Sequence, residues 1–129
     1  MKVAFAMNDE NKITESHFGD AQFYEIYEIS ESQEKFITRI MNTTEEEEGH
    51  ADPKKAKGVM SLFKGEDVRL VVSKVFGPNI KRIRKKVVCV LIKKDTISDN
   101  IKIIQNNYNL IVTEWEKGEE RRHLNFKFL

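Results

Sequence analysis

Short apolar runs separated by polar segments divide the chain into alternating strands and helices. The runs at residues 2–7, 68–73 and 87–92 are almost wholly apolar, which is typical of strands buried on both faces. Residues 23–29 and 36–41 mix aromatic and branched residues with charged ones on either side of a polar connection. This second pattern predicts an antiparallel hairpin.

Helices are predicted between the buried strands. Asp52 suits an N-cap and Pro53 a first helical position, and Pro78 favours the start of a second helix. Thr96 and Asp99 have the spacing of a capping box at the start of a third. Because each helical crossover returns the chain in the same direction, the first, fourth and fifth strands are expected to run parallel in an α/β sheet.

This regular pattern covers residues 1–107, which we predict to form one α/β domain. Residues 108–129 are predicted to be a C-terminal extension that packs on the domain or on a partner. Its end, residues 124–128, alternates apolar and polar positions at strand spacing. One hypothesis is that this segment pairs with a sheet edge of a second copy and forms a homodimer.

Composition excludes several classes of protein. Lys and Arg total 22 against 21 Asp and Glu, so the formal net charge of +1 does not favour a partner selected by bulk charge. No apolar run approaches the length of a membrane helix, and we expect a cytoplasmic protein with no membrane partner. The single cysteine, Cys89, lies in an apolar run, where it is expected to be buried and to form neither a disulfide nor a Cys-x-x-Cys metal site.

Two loops are candidates for a ligand site. In an open α/β sheet, ligands bind beyond the carboxyl ends of the parallel strands. The loop after the first strand contains Ser16-His17-Phe18-Gly19, and the loop after the fourth strand contains Lys74 and Gly77-Pro78 at a helix start that favours anions. If the two strands are neighbours, both loops contribute to one site.

The same loops carry a resemblance to a known family. Residues 1–6, the His-Phe-Gly loop at residues 16–21, the strand at 23–27 and the turn Gly77-Pro78-Asn79 resemble the dinitrogenase iron–molybdenum cofactor biosynthesis family. The resemblance implies a ribonuclease-H-like three-layer α/β fold, with helices on both faces of a mixed five-stranded sheet of order 3-2-1-4-5. It also implies that the chain binds or carries an iron–sulfur or iron–molybdenum-type cluster or its precursor, with no cluster necessarily bound after purification.

Two histidines are the metal ligands that the resemblance suggests. His17 corresponds to the cluster contact of the His-Phe-Gly loop, and a loop-stabilising hydrogen bond is its alternative role. His50 follows the four glutamates of residues 45–48 in a predicted mobile loop, where relatives are often rich in His or Cys. It is either a second ligand or a solvated loop histidine. One or two histidines suit a carrier of a preformed cluster better than a protein that assembles one.

The remaining candidate residues surround the histidine. Phe18 is expected to cover apolar surface and Gly19 to supply an unusual backbone angle, both as part of the cofactor-binding loop. Lys74 and Gly77 are expected to contact the anionic cluster at the helix start, although Lys74 also fits an ordinary exposed lysine.

We expect a non-enzymatic protein, because the first strand carries no carboxylates and no nucleophile is paired with a base. The expected partner is a protein that donates or accepts the cluster. The alternative is an interaction or nucleic-acid-binding module that uses a basic helix at residues 81–86, although nucleic acid is disfavoured because no aromatic residues are interleaved.

Overall fold

The computed structural model describes residues 1–44 and 52–129, so the predicted acidic loop and His50 lie outside the described residues. The strands are β1 (Lys2–Met7), β2 (Phe23–Ile29), β3 (Glu34–Met41), β4 (Val68–Ser73), β5 (Val88–Leu91) and β6 (Leu124–Asn125). The helices are α1 (Pro53–Ser61), α2 (Ile80–Ile83), α3 (Ile97–Asn106) and α4 (Tyr108–Glu116), and 3₁₀ turns cover Phe18–Asp20 and Gly118–Glu120.

The strands of the described residues form a six-stranded sheet of order β3-β2-β1-β4-β5-β6. β1 is antiparallel to β2 and parallel to β4, and β4 is parallel to β5. The predicted hairpin, the parallel strands and the order 3-2-1-4-5 are therefore confirmed. β6 extends the sheet by a sixth strand that the sequence pattern did not predict at this place.

Helices cover both faces of the sheet, which makes the fold three-layered. Along β1, Val3, Phe5 and Met7 face the core formed with α3 and α4, whereas Ala4 and Ala6 face the core formed with α1 and α2. All five side chains are at most 1% exposed. Buried strands that pack on both faces read as continuous apolar runs, which is the pattern of residues 2–7.

The predicted helix starts are confirmed at α1 and α3. The Asp52 carboxylate accepts a hydrogen bond of 3.0 Å from the Lys54 N–H, and Pro53 occupies the first turn of α1. The Thr96 hydroxyl accepts a hydrogen bond of 3.1 Å from the Asp99 N–H. Such caps satisfy backbone donors that the first helical turn leaves unpaired.

The basic helix is shorter than predicted. α2 ends at Ile83, so Arg84, Lys85 and Lys86 lie on the turn that follows it. The chain must reach the start of β5 at Val88 within a few residues, and the burial of Ile83 and Val87 holds that turn against the sheet. Three of the five basic residues at positions 81–86 therefore lie on a turn and not on the face of a helix.

The C-terminal extension packs on the same chain. Ile111 of α4 is fully buried and Phe126 is 5% exposed, and both belong to the core between the sheet, α3 and α4. Only Leu124–Asn125 of the predicted strand-like segment is a strand, and it pairs in parallel with β5 of its own chain. The edge of β5 is thus filled within one chain, and the homodimer stays a prediction. None of the helices in the two described ranges is long and apolar enough to span a membrane.

Candidate functional site

The two predicted loops meet at the carboxyl edge of the neighbouring strands β1 and β4. His17 and Val75 form a parallel β-bridge, and the Phe18 N–H donates a hydrogen bond of 2.8 Å to the Val75 carbonyl. The two loops therefore meet, as their neighbouring strands led us to expect. The bridge places His17 and Gly77 on adjoining backbone segments.

Phe18 lies beneath this site, in the core. Its ring is fully buried and lies 5.1 Å from Tyr24, 6.1 Å from Phe63 and 5.2 Å from Phe76, measured between ring centroids. The Tyr24 hydroxyl donates a 2.6 Å hydrogen bond to the Phe18 carbonyl. Burial, with a contribution from Asp20, raises the pKa of Tyr24, so the hydroxyl keeps the proton that it donates. Phe18 therefore supports the loop and does not itself line the site.

Asn42 also holds this loop, and no pattern in the sequence pointed to it. Its Nδ2 donates hydrogen bonds of 2.8 Å to the carbonyls of both Gly19 and Ala21. Its Oδ1 accepts a 3.0 Å hydrogen bond from the Thr44 N–H. Asn42 directly follows β3, so the loop after β1 is fixed by the far side of the hairpin as well as by β4.

The His17 imidazole lies directly against Gly77. Gly77 has a φ of +70°, a conformation that residues with a side chain rarely adopt. A β-carbon at this position would lie 2.6 Å from Cε1 and from Nδ1 of His17. Gly77 is thus required both for the backbone of its turn and for the space that the imidazole occupies.

A narrow cleft beside His17 separates the 3₁₀ turn at Phe18–Asp20 from α1 and α2. Its polar lining residues are His17, Asp20, Lys55 and Asn79, and its apolar ones include Val59 and Phe76. Gly19 also lines the cleft, but the prediction that it supplies an unusual backbone angle is wrong, because it lies in a 3₁₀ turn and its φ is outside the left-handed region. Arg82 fixes the Asn79 amide by a hydrogen bond of 3.1 Å to its Oδ1.

Lys55 supplies the buried cation of this cleft. Only 6% of its side chain is exposed, its Nζ lies 3.3 Å from an Asp20 carboxylate oxygen, and it donates a 2.7 Å hydrogen bond to the Thr44 hydroxyl. Sequence reasoning missed Lys55, although it lies four residues before the buried Val59 and so on the inner face of α1. The helical spacing of Lys55 and Val59 could therefore have indicated that Lys55 is buried.

Lys74 is held by carboxylates. Its ammonium pairs with Glu15 at 2.5 Å and also with Asp95. Partial burial by itself lowers the pKa of Lys74, but the hydrogen bonds from the ammonium to Asp95 and Glu15 outweigh burial and raise it. Lys74 does not line the cleft beside His17, where the lysine among the described residues is Lys55.

Metal-binding groups are sparse in this part of the molecule. Within residues 1–44 and 52–129 no group of three or more His, Cys, Asp or Glu side chains is arranged to hold a metal ion. Cys89 is fully buried, and burial raises the pKa of its thiol, so it stays protonated in the core as expected. Among the described residues, the histidine that lines the cleft is His17.

The fold and the cleft together define a three-layer α/β domain with a candidate ligand site at the carboxyl edge of its parallel strands. The chain belongs to the dinitrogenase iron–molybdenum cofactor family, whose model matches residues 1–107. Its structure is similar to a crystal structure from Methanocaldococcus jannaschii called a "putative dinitrogenase". The two share 26% sequence identity over 83% of this chain and 89% of that one, with a TM-score of 0.62. No curated protein matches the sequence.

Proposed function

We propose that this protein is a non-enzymatic carrier that binds a preformed iron–sulfur or iron–molybdenum-type cluster, or its precursor, on the surface formed by His17 and the Gly77-Pro78 turn. The observation that carries the proposal is the His17 imidazole, which lies against Gly77 on a firmly held loop at the edge where ligands of such sheets bind. Membership of a family named for the iron–molybdenum cofactor supports the choice of cargo.

The chemistry of the cleft agrees with an anionic cluster. A neutral imidazole nitrogen is a good ligand for iron. The buried Lys55 ammonium, which already pairs with Asp20, places a positive charge near His17. Inside a cleft such a charge is screened less by water than on the surface.

The small number of ligands favours a carrier. One imidazole, or two if His50 contributes, binds a cluster weakly enough for a partner protein with more ligands to remove it. We propose that the partners are proteins that donate the cluster to this chain and accept it afterwards.

Anaerobic titration with a cluster donor tests the proposal. The wild-type protein is expected to gain a visible absorption band, and His17→Ala is expected to lose most of it. His123→Ala is the matched control, because His123 is exposed and lies outside the cleft beside His17. His50→Ala tests the second predicted ligand in the same way. A band of equal intensity in the wild type and in a folded His17→Ala variant would contradict the assigned site.

A further inference from the structure

A second cleft lies between the turn after α2 and the segment that follows α4, and its volume is about 530 Å³. The wall from the α2 side contains Lys81, Arg84 and Lys85. The wall from the C-terminal side contains Arg121, Arg122 and His123, with Glu119 and Glu120. None of these residues lines the cleft beside His17.

Positive charge is concentrated in this cleft and exceeds the negative charge there. Five Lys or Arg side chains line it together with two glutamates, although the whole chain has a net charge of only +1. Lysines elsewhere, such as Lys55 and Lys74, are paired with carboxylates. By contrast, in the part of the chain that the structure describes, no carboxylate oxygen lies within 4.0 Å of the charged nitrogens of Lys81, Arg84 or Lys85.

Arg121 joins the two walls. Its Nε donates a 3.0 Å hydrogen bond to the Trp115 carbonyl, and its Nη1 donates a 2.9 Å hydrogen bond to the carbonyl of Lys85. Its guanidinium also lies 4.2 Å from the centroid of the Trp115 ring. These contacts hold the two walls together despite the repulsion between their cations. A ligand therefore binds to walls that are already ordered, and less free energy is lost on binding.

We propose that this cleft binds a small anion with two or more linked phosphate groups, either an inorganic polyphosphate or the phosphate chain of a nucleotide. The guanidinium forks of Arg84 and Arg122 suit pairs of phosphate oxygens, and the ammonium groups of Lys81 and Lys85 act as point charges. The volume is within the range of small-ligand sites, on the order of 300–1,000 Å³. The described lining contains no Phe, Tyr or Trp, which disfavours a stacked single-stranded nucleic acid.

The test is calorimetric titration with tripolyphosphate, a nucleoside triphosphate, orthophosphate and a short oligothymidylate, supported by the fluorescence of Trp115, the single tryptophan. Tripolyphosphate is expected to bind at least about tenfold more tightly than orthophosphate, because more charge-assisted hydrogen bonds form. Equal affinities for tripolyphosphate and the nucleoside triphosphate would show that the cleft recognises the phosphate chain alone. Tighter binding of the nucleoside triphosphate would show that the ligand is a nucleotide.

A matched pair of variants separates a local site from general charge. Arg84→Glu with Arg122→Glu is expected to weaken tripolyphosphate binding by at least about tenfold. Lys35→Glu with Lys102→Glu changes the net charge equally at exposed positions of β3 and α3, and is expected to bind as the wild type does. Equal weakening by both pairs, no binding of any phosphate, or tighter binding of the oligothymidylate than of tripolyphosphate would overturn the proposal. His17→Ala is expected to leave this binding unchanged, so the outcome is independent of the cluster site.

Discussion

The imidazole of His17 occupies the space that a side chain on Gly77 would fill, with Cε1 and Nδ1 both 2.6 Å from an ideal β-carbon there. Real β-carbons essentially never approach other atoms more closely than 3.0 Å. The two residues are 60 positions apart in the sequence, yet the position of one ring depends on the absence of a side chain on the other. This steric coupling joins the two loops of the candidate site.

Gly77→Ala is expected to displace the His17 ring and to reduce the cluster absorption band about as much as His17→Ala does. We also expect the free energy of unfolding to fall by about 1–3 kcal/mol, because alanine is strained at a φ of +70°. Anaerobic titration and urea denaturation measure the two effects.

Gly65→Ala is the control for that substitution. Gly65 has a φ of +90° and nothing within 4 Å of its β-carbon position, so alanine there introduces strain without touching the site. The control is expected to lose about 1–2 kcal/mol of stability and to keep the absorption band. If Gly77→Ala kept the band equally well, the position of His17 would not matter for binding.

Ile111→Ala is expected to lower the free energy of unfolding by about 2–4 kcal/mol, because it empties space in the core between α4 and the sheet. The neighbouring Leu110 is 49% exposed, and Leu110→Ala is expected to change stability by less than about 0.5 kcal/mol. Urea denaturation of the two variants is the measurement. Similar losses for both would show that α4 does not pack as the structure has it.

Glu114 is expected to make the fold sensitive to acid. Its buried carboxylate accepts a 2.9 Å hydrogen bond from the Arg122 N–H and a 3.0 Å hydrogen bond from the Lys117 ammonium. Burial by itself raises the pKa of Glu114, but these hydrogen bonds outweigh it and lower the pKa below its ordinary value of 4.5. A carboxyl group with a lowered pKa stabilises the folded state above that ordinary value, and the contribution is lost as the pH falls below it.

Urea denaturation of Glu114→Gln over a series of pH values tests this. The variant is expected to be less stable than the wild type near neutral pH, and the difference should shrink as the pH falls below 4.5. Glu116 is exposed on the same helix, so Glu116→Gln should keep the wild-type pH dependence. A stability difference between Glu114→Gln and the wild type that stayed constant with pH would contradict the lowered pKa.

Local patterns predicted most of the architecture. The caps at Asp52 and Thr96 involve residues only two and three positions apart, so the sequence alone contains both partners of each hydrogen bond. α4 escaped prediction because the regular pattern of strands and helices ends at residue 107, and because the stability of α4 comes from burying Ile111 against the sheet.

The sequence predicted which loops form the candidate site, but not which charged side chains line it. His17 and Gly77 were recognised because each follows a buried strand, and neighbouring parallel strands bring their carboxyl ends together. Lys74 looked available for an anion, whereas the structure pairs it with Asp95 and places Lys55 in the cleft. The sequence positions of two charged residues do not show whether their side chains meet.

The sequence by itself therefore determined the succession of strands and helices up to residue 107, the hairpin and the helix caps, since these depend on spacing within a few residues. Only the tertiary structure decided that β6 pairs with β5 and that Lys55, not Lys74, lies in the cleft beside His17. It also decided that Arg121 joins the two walls of the second cleft by a hydrogen bond to the Lys85 carbonyl. Each of these outcomes depends on distances between side chains or backbone groups that lie far apart along the chain.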